Sequence, residues 1–207
     1  MPKFAEEQSN RTPDAIALTD PQKSLTWEQV DEILNRAANI ILKSDLGSKR
    51  RIAVFAENAS ETALAHLGAL FGGASSVPVN FHLTAEEASY ILKDSESQIL
   101  FLDDKTADRG ILAAQEAGVE LIIGWNCEAY TQIINWEEWL ATGSPDPSPD
   151  EVTPLPNLLY TSGTTGLPKG TELPPTMFAG GSTMTEHIKG LSKSGFAEFG
   201  THLVVGP

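Results

Sequence analysis

The stretch Thr161-Ser162-Gly163-Thr164-Thr165-Gly166-Leu167-Pro168-Lys169-Gly170 has the residue types of an anion-binding loop. Its three glycines let the main chain turn and bring N–H groups close to a ligand. The hydroxyls of Thr161, Ser162, Thr164 and Thr165 add short, orientable donors, and Lys169 adds a compact positive charge. Together these suit a polyphosphate that must be gripped and later released. The loop is not of the Walker type, which needs Gly-Lys followed by Ser or Thr. Here Pro168 precedes Lys169 and Gly170 follows it.

Other reactive side chains offer less. Cys127 is the lone cysteine, so no intramolecular disulfide can form. Its neighbours Trp125, Asn126 and Glu128 supply no positive charge to lower its pKa, and a passive thiol is expected. The four histidines, His66, His82, His187 and His202, stand at no spacing that would make a metal site. Packing or surface roles are expected for them. No residue is assigned to catalysis and none to a metal.

The elements that must position the loop can be read from periodicity. Thr26 with Gln29 makes a capping box ahead of a helix to Leu42, with Val30, Ile33, Leu34, Ala37 and Ile41 on one face. Residues 51–56 read as a strand. Ser60 and Glu61 open a helix that Gly72 and Gly73 stop, and residues 76–80 are extended. Thr84 with Glu87 caps a third helix to about Lys93. Residues 98–102 form a strand, 107–117 a helix and 119–123 a further strand. This alternation predicts an α/β fold of parallel βαβ units with helices on both sheet faces. Residues 142–154 read as a proline-rich linker, and Leu158-Leu159-Tyr160 as the end of a strand entering the loop.

Composition narrows the partners. The net charge of −14, from 28 acidic and 14 basic residues, argues against a nucleic-acid surface, which needs clustered Lys and Arg. The opening residues lack the apolar run of a secretory signal, and no uncharged apolar stretch approaches a bilayer span. A cytoplasmic location is expected.

Residues 160–170 resemble throughout the phosphate-loop signature of the adenylate-forming superfamily: acyl-CoA synthetases, peptide-synthetase adenylation domains and luciferases. Further elements of that family are matched in order. Residues 11–17, Arg-Thr-Pro-Asp-Ala-Ile-Ala, resemble its opening element, and residues 25–30, Leu-Thr-Trp-Glu-Gln-Val, its next. Residues 72–80 with Leu83-Thr84-Ala85-Glu86-Glu87 match a third. Asn80 favours the acyl-CoA synthetase branch, since peptide-synthetase domains usually carry Asp there.

The resemblance implies a carboxylic acid:CoA ligase, for a fatty or aryl acid, that uses ATP, Mg2+ and CoA. Thr161, Ser162, Gly163, Thr164, Thr165, Gly166 and Lys169 would then hold the triphosphate and the departing pyrophosphate. It also implies an incomplete amino-terminal domain: residues 1–50 as a segment of a neighbouring lobe, 51–141 as the βαβ units, 142–154 as the linker, and 155–207 as the loop with a following helix and strand. The adenine-, ribose- and magnesium-binding groups would lie further on, so the chain alone is expected to be inactive. Surface left uncovered would favour self-association. The sequence departs from the pattern at Pro175, which stands where the family usually has histidine. Two other classes stay open: an adenylation domain that activates an amino acid, and a non-catalytic nucleotide-binding or interaction module.

Overall fold

The computed structural model describes residues 3–149, 152–161, 167–173, 183, 184, 186 and 190. Helix α1, Lys3–Arg11, precedes an antiparallel hairpin of β1, Ile16–Thr19, and β2, Ser24–Thr26. Asp20 shapes the hairpin turn, its Oδ1 accepting the N–H groups of Gln22 at 2.8 Å and Lys23 at 2.9 Å. Strand β2 runs directly into α2, Trp27–Lys43, where both halves of the Thr26/Gln29 capping box are formed. Satisfying two orphan donors at once fixes where this helix begins.

The central sheet follows. Strand β3, Arg51–Phe55, leads through α3, Ser60–Phe71, to β4, Ser75–Pro78. Helix α4, Ala85–Ser95, leads to β5, Ile99–Asp103, and α5, Ala107–Ala117, to β6, Leu121–Trp125. Short β7, Ile134–Asn135, enters α6, Trp136–Ala141, which Asn135 caps. The five strands are parallel in the order β4-β3-β5-β6-β7.

Alternation along the strands divides the core. Ile52, Val54, Ile99, Phe101, Ile123 and Trp125 face α2, α3 and α6, while Ala53, Phe55, Leu100, Leu102 and Ile122 face α4 and α5. The sheet is thus parallel, with helices on both faces, as the βαβ pattern predicts. Strands buried on both sides need near-continuous apolar sequence, which residues 52–56 and 99–102 supply.

Several local readings shift. Gly73, not Gly72, takes the left-handed conformation at the end of α3, with φ of 65°. The Ala74 N–H then reaches Ala69 O and the Gly73 N–H reaches Leu70 O, a complete Schellman motif. Ser60 opens α3 as expected. Ala59 holds the cap position without a side-chain bond, and Asp20 Oδ2 accepts the Ser60 N–H from the distant hairpin at 2.8 Å. Lys23 forms an ion pair with Glu61 beside it. Strand β6 starts two residues later than expected, because Gly118 ends α5 in the left-handed region.

The proline-rich segment lies along α2. Arg36 donates to Gly143 O at 2.8 Å, and Asn39 donates to the carbonyls of Ser144 and Asp146. The last strands, β8, Asn157–Thr161, and β9, Lys169–Leu173, make an antiparallel hairpin. Among the described residues, no helix is long and apolar enough to cross a membrane.

Candidate functional site

The β8–β9 hairpin carries the glycine-rich loop at its tip. Thr161 and Lys169 are cross-strand partners, so the first hydroxyl and the only lysine of the stretch stand opposite each other at the loop's mouth. Both are exposed, and Lys169 has no ion-pair partner among the described residues. Ser162, Gly163, Thr164, Thr165 and Gly166 lie outside the described residues, as does Pro175.

The loop's roots are tied to the sheet by side chains. Tyr160 Oη donates to Asp94 Oδ2 at 2.6 Å, and Tyr90 Oη donates to Pro168 O at 3.2 Å. Arg51, buried in β3, donates to Ser95 O at 3.0 Å and to Glu172 Oε1 at 2.6 Å. Ser75 Oγ donates to Pro156 O at 2.5 Å. Burial, together with the Asp94 bond and its charge, holds the Tyr160 phenol protonated well above its ordinary range. Gly170 is the cross-strand partner of Tyr160 and gives that ring its place: a Cβ there would sit 3.2 Å from the Tyr160 Cζ. The glycine thus serves packing as well as main-chain freedom.

Beside the hairpin, at the carboxyl ends of β3 and β4, lies a cleft of about 580 Å³. Val54, His66, Asn80, Tyr160 and Thr161 are among its walls, and among the described residues no charged side chain lines it. A crevice at the carboxyl ends of parallel strands is where this architecture gathers its ligands.

His66, read as a packing residue, stands on the cleft wall with its Nδ1 paired to Ser76 Oγ at 2.5 Å. Burial pushes its pKa down to about 4, so the imidazole is neutral. The signal that could have found it is the spacing of Thr62 and His66. These two cleft-lining residues stand four apart on α3.

The remaining candidates stay apart from the site. Cys127 is buried, and burial with the charges of Asp103, Asp104 and Glu128 pushes its thiol up to about 12. His82 lies against the Phe81 ring, and His187 and His202 fall outside the described residues. Among the described residues, no group of three or more His, Cys, Asp or Glu side chains could hold a metal ion.

Comparison with known proteins agrees with this fold. The family model described as AMP-binding enzyme matches residues 5–179. Tyrocidine synthase 3 of Brevibacillus parabrevis is 32% identical over 82% of this chain, which corresponds to 2% of that protein. Fatty acid--[acyl-carrier-protein] ligase ScoC of Streptomyces coeruleorubidus is 34% identical over 78% of this chain and 30% of its own length. Among solved structures, the inhibitor-bound N-terminal domain of FACL13 from Mycobacterium tuberculosis superposes with a TM-score of 0.66 at 27% identity. That match covers 83% of this chain and 43% of that one. The chain therefore spans less than half the length of each of these relatives.

Proposed function

Because the chain belongs to the family of AMP-binding enzymes, we propose that it is the amino-terminal part of an ATP-dependent carboxylic acid:CoA ligase. A carboxylate oxygen attacks the α-phosphorus of ATP, and the bond to the bridging oxygen breaks as pyrophosphate leaves. The CoA thiol then attacks the acyl carbonyl and expels AMP. The observation that carries this reading is the opposition of Thr161 and Lys169 at the mouth of the loop, beside a cleft whose described walls carry no charged side chain. Lys169 neutralises phosphate charge, while Thr161, Ser162, Thr164 and Thr165 orient the chain of phosphates through hydroxyl donors. The uncharged cleft suits the apolar body of an organic acid. Magnesium would come with the triphosphate and supply positive charge to it, and no residue of this chain is assigned to hold the ion.

This chain covers 43% of the FACL13 domain it resembles. In this reading it grips the phosphates without completing activation, and exposed apolar residues such as Leu112 and Leu167 favour its self-association. A carrier-protein acceptor is the second reading, supported by the identity to ScoC. Asn80 supports CoA.

Calorimetric titration of ATP and of pyrophosphate, with and without magnesium, tests the proposal on this chain and on Lys169→Ala. Weak magnesium-dependent binding that falls at least about tenfold in the variant is expected, since a charge-assisted contact is lost. Equal binding by both proteins, or by neither, overturns the assignment of the phosphates to this chain. Acyl-adenylate or acyl-CoA made by the chain alone overturns the claim of binding without turnover.

A further inference from the structure

We propose that α4 is a two-point clamp on the glycine-rich loop, with Tyr90 and Asp94 as positioning residues. Among the described residues, the β8–β9 hairpin is a two-stranded sheet of its own and shares no ladder with the five-stranded sheet. Its placement therefore rests on the buried Leu158 and on side-chain ties rather than on main-chain register.

Two of those ties fall at the loop's roots. Asp94 holds Tyr160, the residue before Thr161, and Tyr90 holds the carbonyl of Pro168, the residue before Lys169. Tyr90 and Asp94 stand four apart on α4, so both holds project from one face of one helix. The helix itself is fixed. Thr84 and Glu87 form a complete capping box at its start, and Ala88, Ile91 and Leu92 are buried against the sheet. The two ends of the loop are thus referenced to a single rigid rod. Arg51 adds a hold on Glu172, further from the loop.

The function of the clamp follows from what a phosphate loop requires. Donors must be held within a fraction of an ångström of their working positions, and supporting residues behind them supply that precision. The Tyr160–Asp94 bond is the stronger of the two holds, a phenol donating to a carboxylate at 2.6 Å. The part of the proposal that concerns affinity rests on reading the loop as a phosphate site, whereas the part that concerns placement does not.

The experiment uses this chain with Asp94→Ala, Asp94→Asn, Tyr160→Phe and Tyr90→Phe, read two ways. Amide hydrogen exchange needs no ligand. The Asp94→Ala and Tyr90→Phe changes combined are expected to speed exchange about tenfold in residues 157–161 and 169–173, leaving β3 and β5 unchanged. Asp94→Asn, which still offers an acceptor, restores most of the protection that Asp94→Ala removes. Equal exchange in all variants, or acceleration throughout the sheet, overturns the clamp.

Magnesium–pyrophosphate titration supplies the second reading. Asp94→Ala and Tyr160→Phe should each weaken binding about three- to tenfold, and together no more than either alone, because they remove one shared bond. Additive losses, or unchanged affinity, overturn the role in ligand placement. Failure of the unaltered chain to bind pyrophosphate sinks the phosphate-site reading, and with it the affinity role, while exchange alone then decides the clamp.

Discussion

Arg51 and Glu172, 121 residues apart in sequence, meet at 2.6 Å and join the first strand of the parallel sheet to the last strand of the loop-bearing hairpin. The pair is lopsided: the Arg51 side chain is 9% exposed and that of Glu172 is 54% exposed. Arg51 also satisfies the Ser95 carbonyl. Arg51→Met should therefore cost about 2–3 kcal/mol, since it strands a buried acceptor, and Glu172→Gln less than about 1 kcal/mol. Urea unfolding of both variants checks this, and equal losses would show that the surface charge, not the buried carbonyl, carries the interaction.

Helices α2 and α3 touch where neither has a side chain to spare. A Cβ on Gly68 would lie 2.7 Å from the Cβ of Ala37, which cannot swing aside. Gly68→Ala is expected to destabilise by about 1–3 kcal/mol through overpacking. Adding Ala37→Gly should recover part of that loss, and strictly additive losses in the pair would dismiss direct contact as the cause.

Asp20 links the amino-terminal hairpin to α3, and its acidity records the linkage. Partial burial raises its pKa, but the hydrogen bonds from Ser60, Lys23 and Gln22 outweigh that, bringing it from 3.8 to about 2. A carboxylate with a depressed folded pKa stabilises fully above about pH 4 and loses its contribution as pH falls toward 2. Allowing for solvent screening, the loss should be about 1 kcal/mol. Chemical unfolding at pH 4.5 and pH 2 should show that slope in the unaltered chain and a flatter one in Asp20→Ala.

His66 behaves in the same sense at higher pH. Its folded pKa of about 4 lies below the ordinary 6.5, so the unfolded chain takes up the proton first. Stability from this group is complete above about pH 6.5 and falls as pH drops toward 4, by on the order of 3 kcal/mol at most. Imidazole chemical shifts should show a neutral ring at pH 5.5, and His66→Gln should remove this part of the pH dependence. A ring that titrates near 6.5 in the folded protein would refute the prediction.

The parts of this fold that were legible in sequence are those with a local chemical mark. Thr26 with Gln29 and Thr84 with Glu87 announce two helix starts, and both boxes form as read. Apolar runs at 52–56 and 99–102 announce strands buried on two faces. What escaped is what depends on distant partners. Strand β2 is three residues long and β7 two, too short for any periodicity to register. Strand β9, Lys-Gly-Thr-Glu-Leu, has one apolar side chain and acquires its shape only by pairing with β8. Ser60 opens α3 as its position suggests, yet the acceptor of its N–H is Asp20, forty residues earlier. At the candidate site the loop's composition is plain, whereas Tyr90 and Asp94 carry no local mark of their bonds to Pro168 and Tyr160.

The separateness of the β8–β9 hairpin bears on how the chain is assembled during synthesis. Strands β3, β4, β5 and β6 find all their mutual partners within residues 51–125. The polypeptide leaves the ribosome from its amino end at about 5–20 residues per second, and segments complete early can fold first. The hairpin emerges after those strands, when Arg51, Tyr90 and Asp94, the residues that bond it, have already been synthesised. Growth order and architecture thereby agree: the scaffold is synthesised before the hairpin that carries the glycine-rich loop.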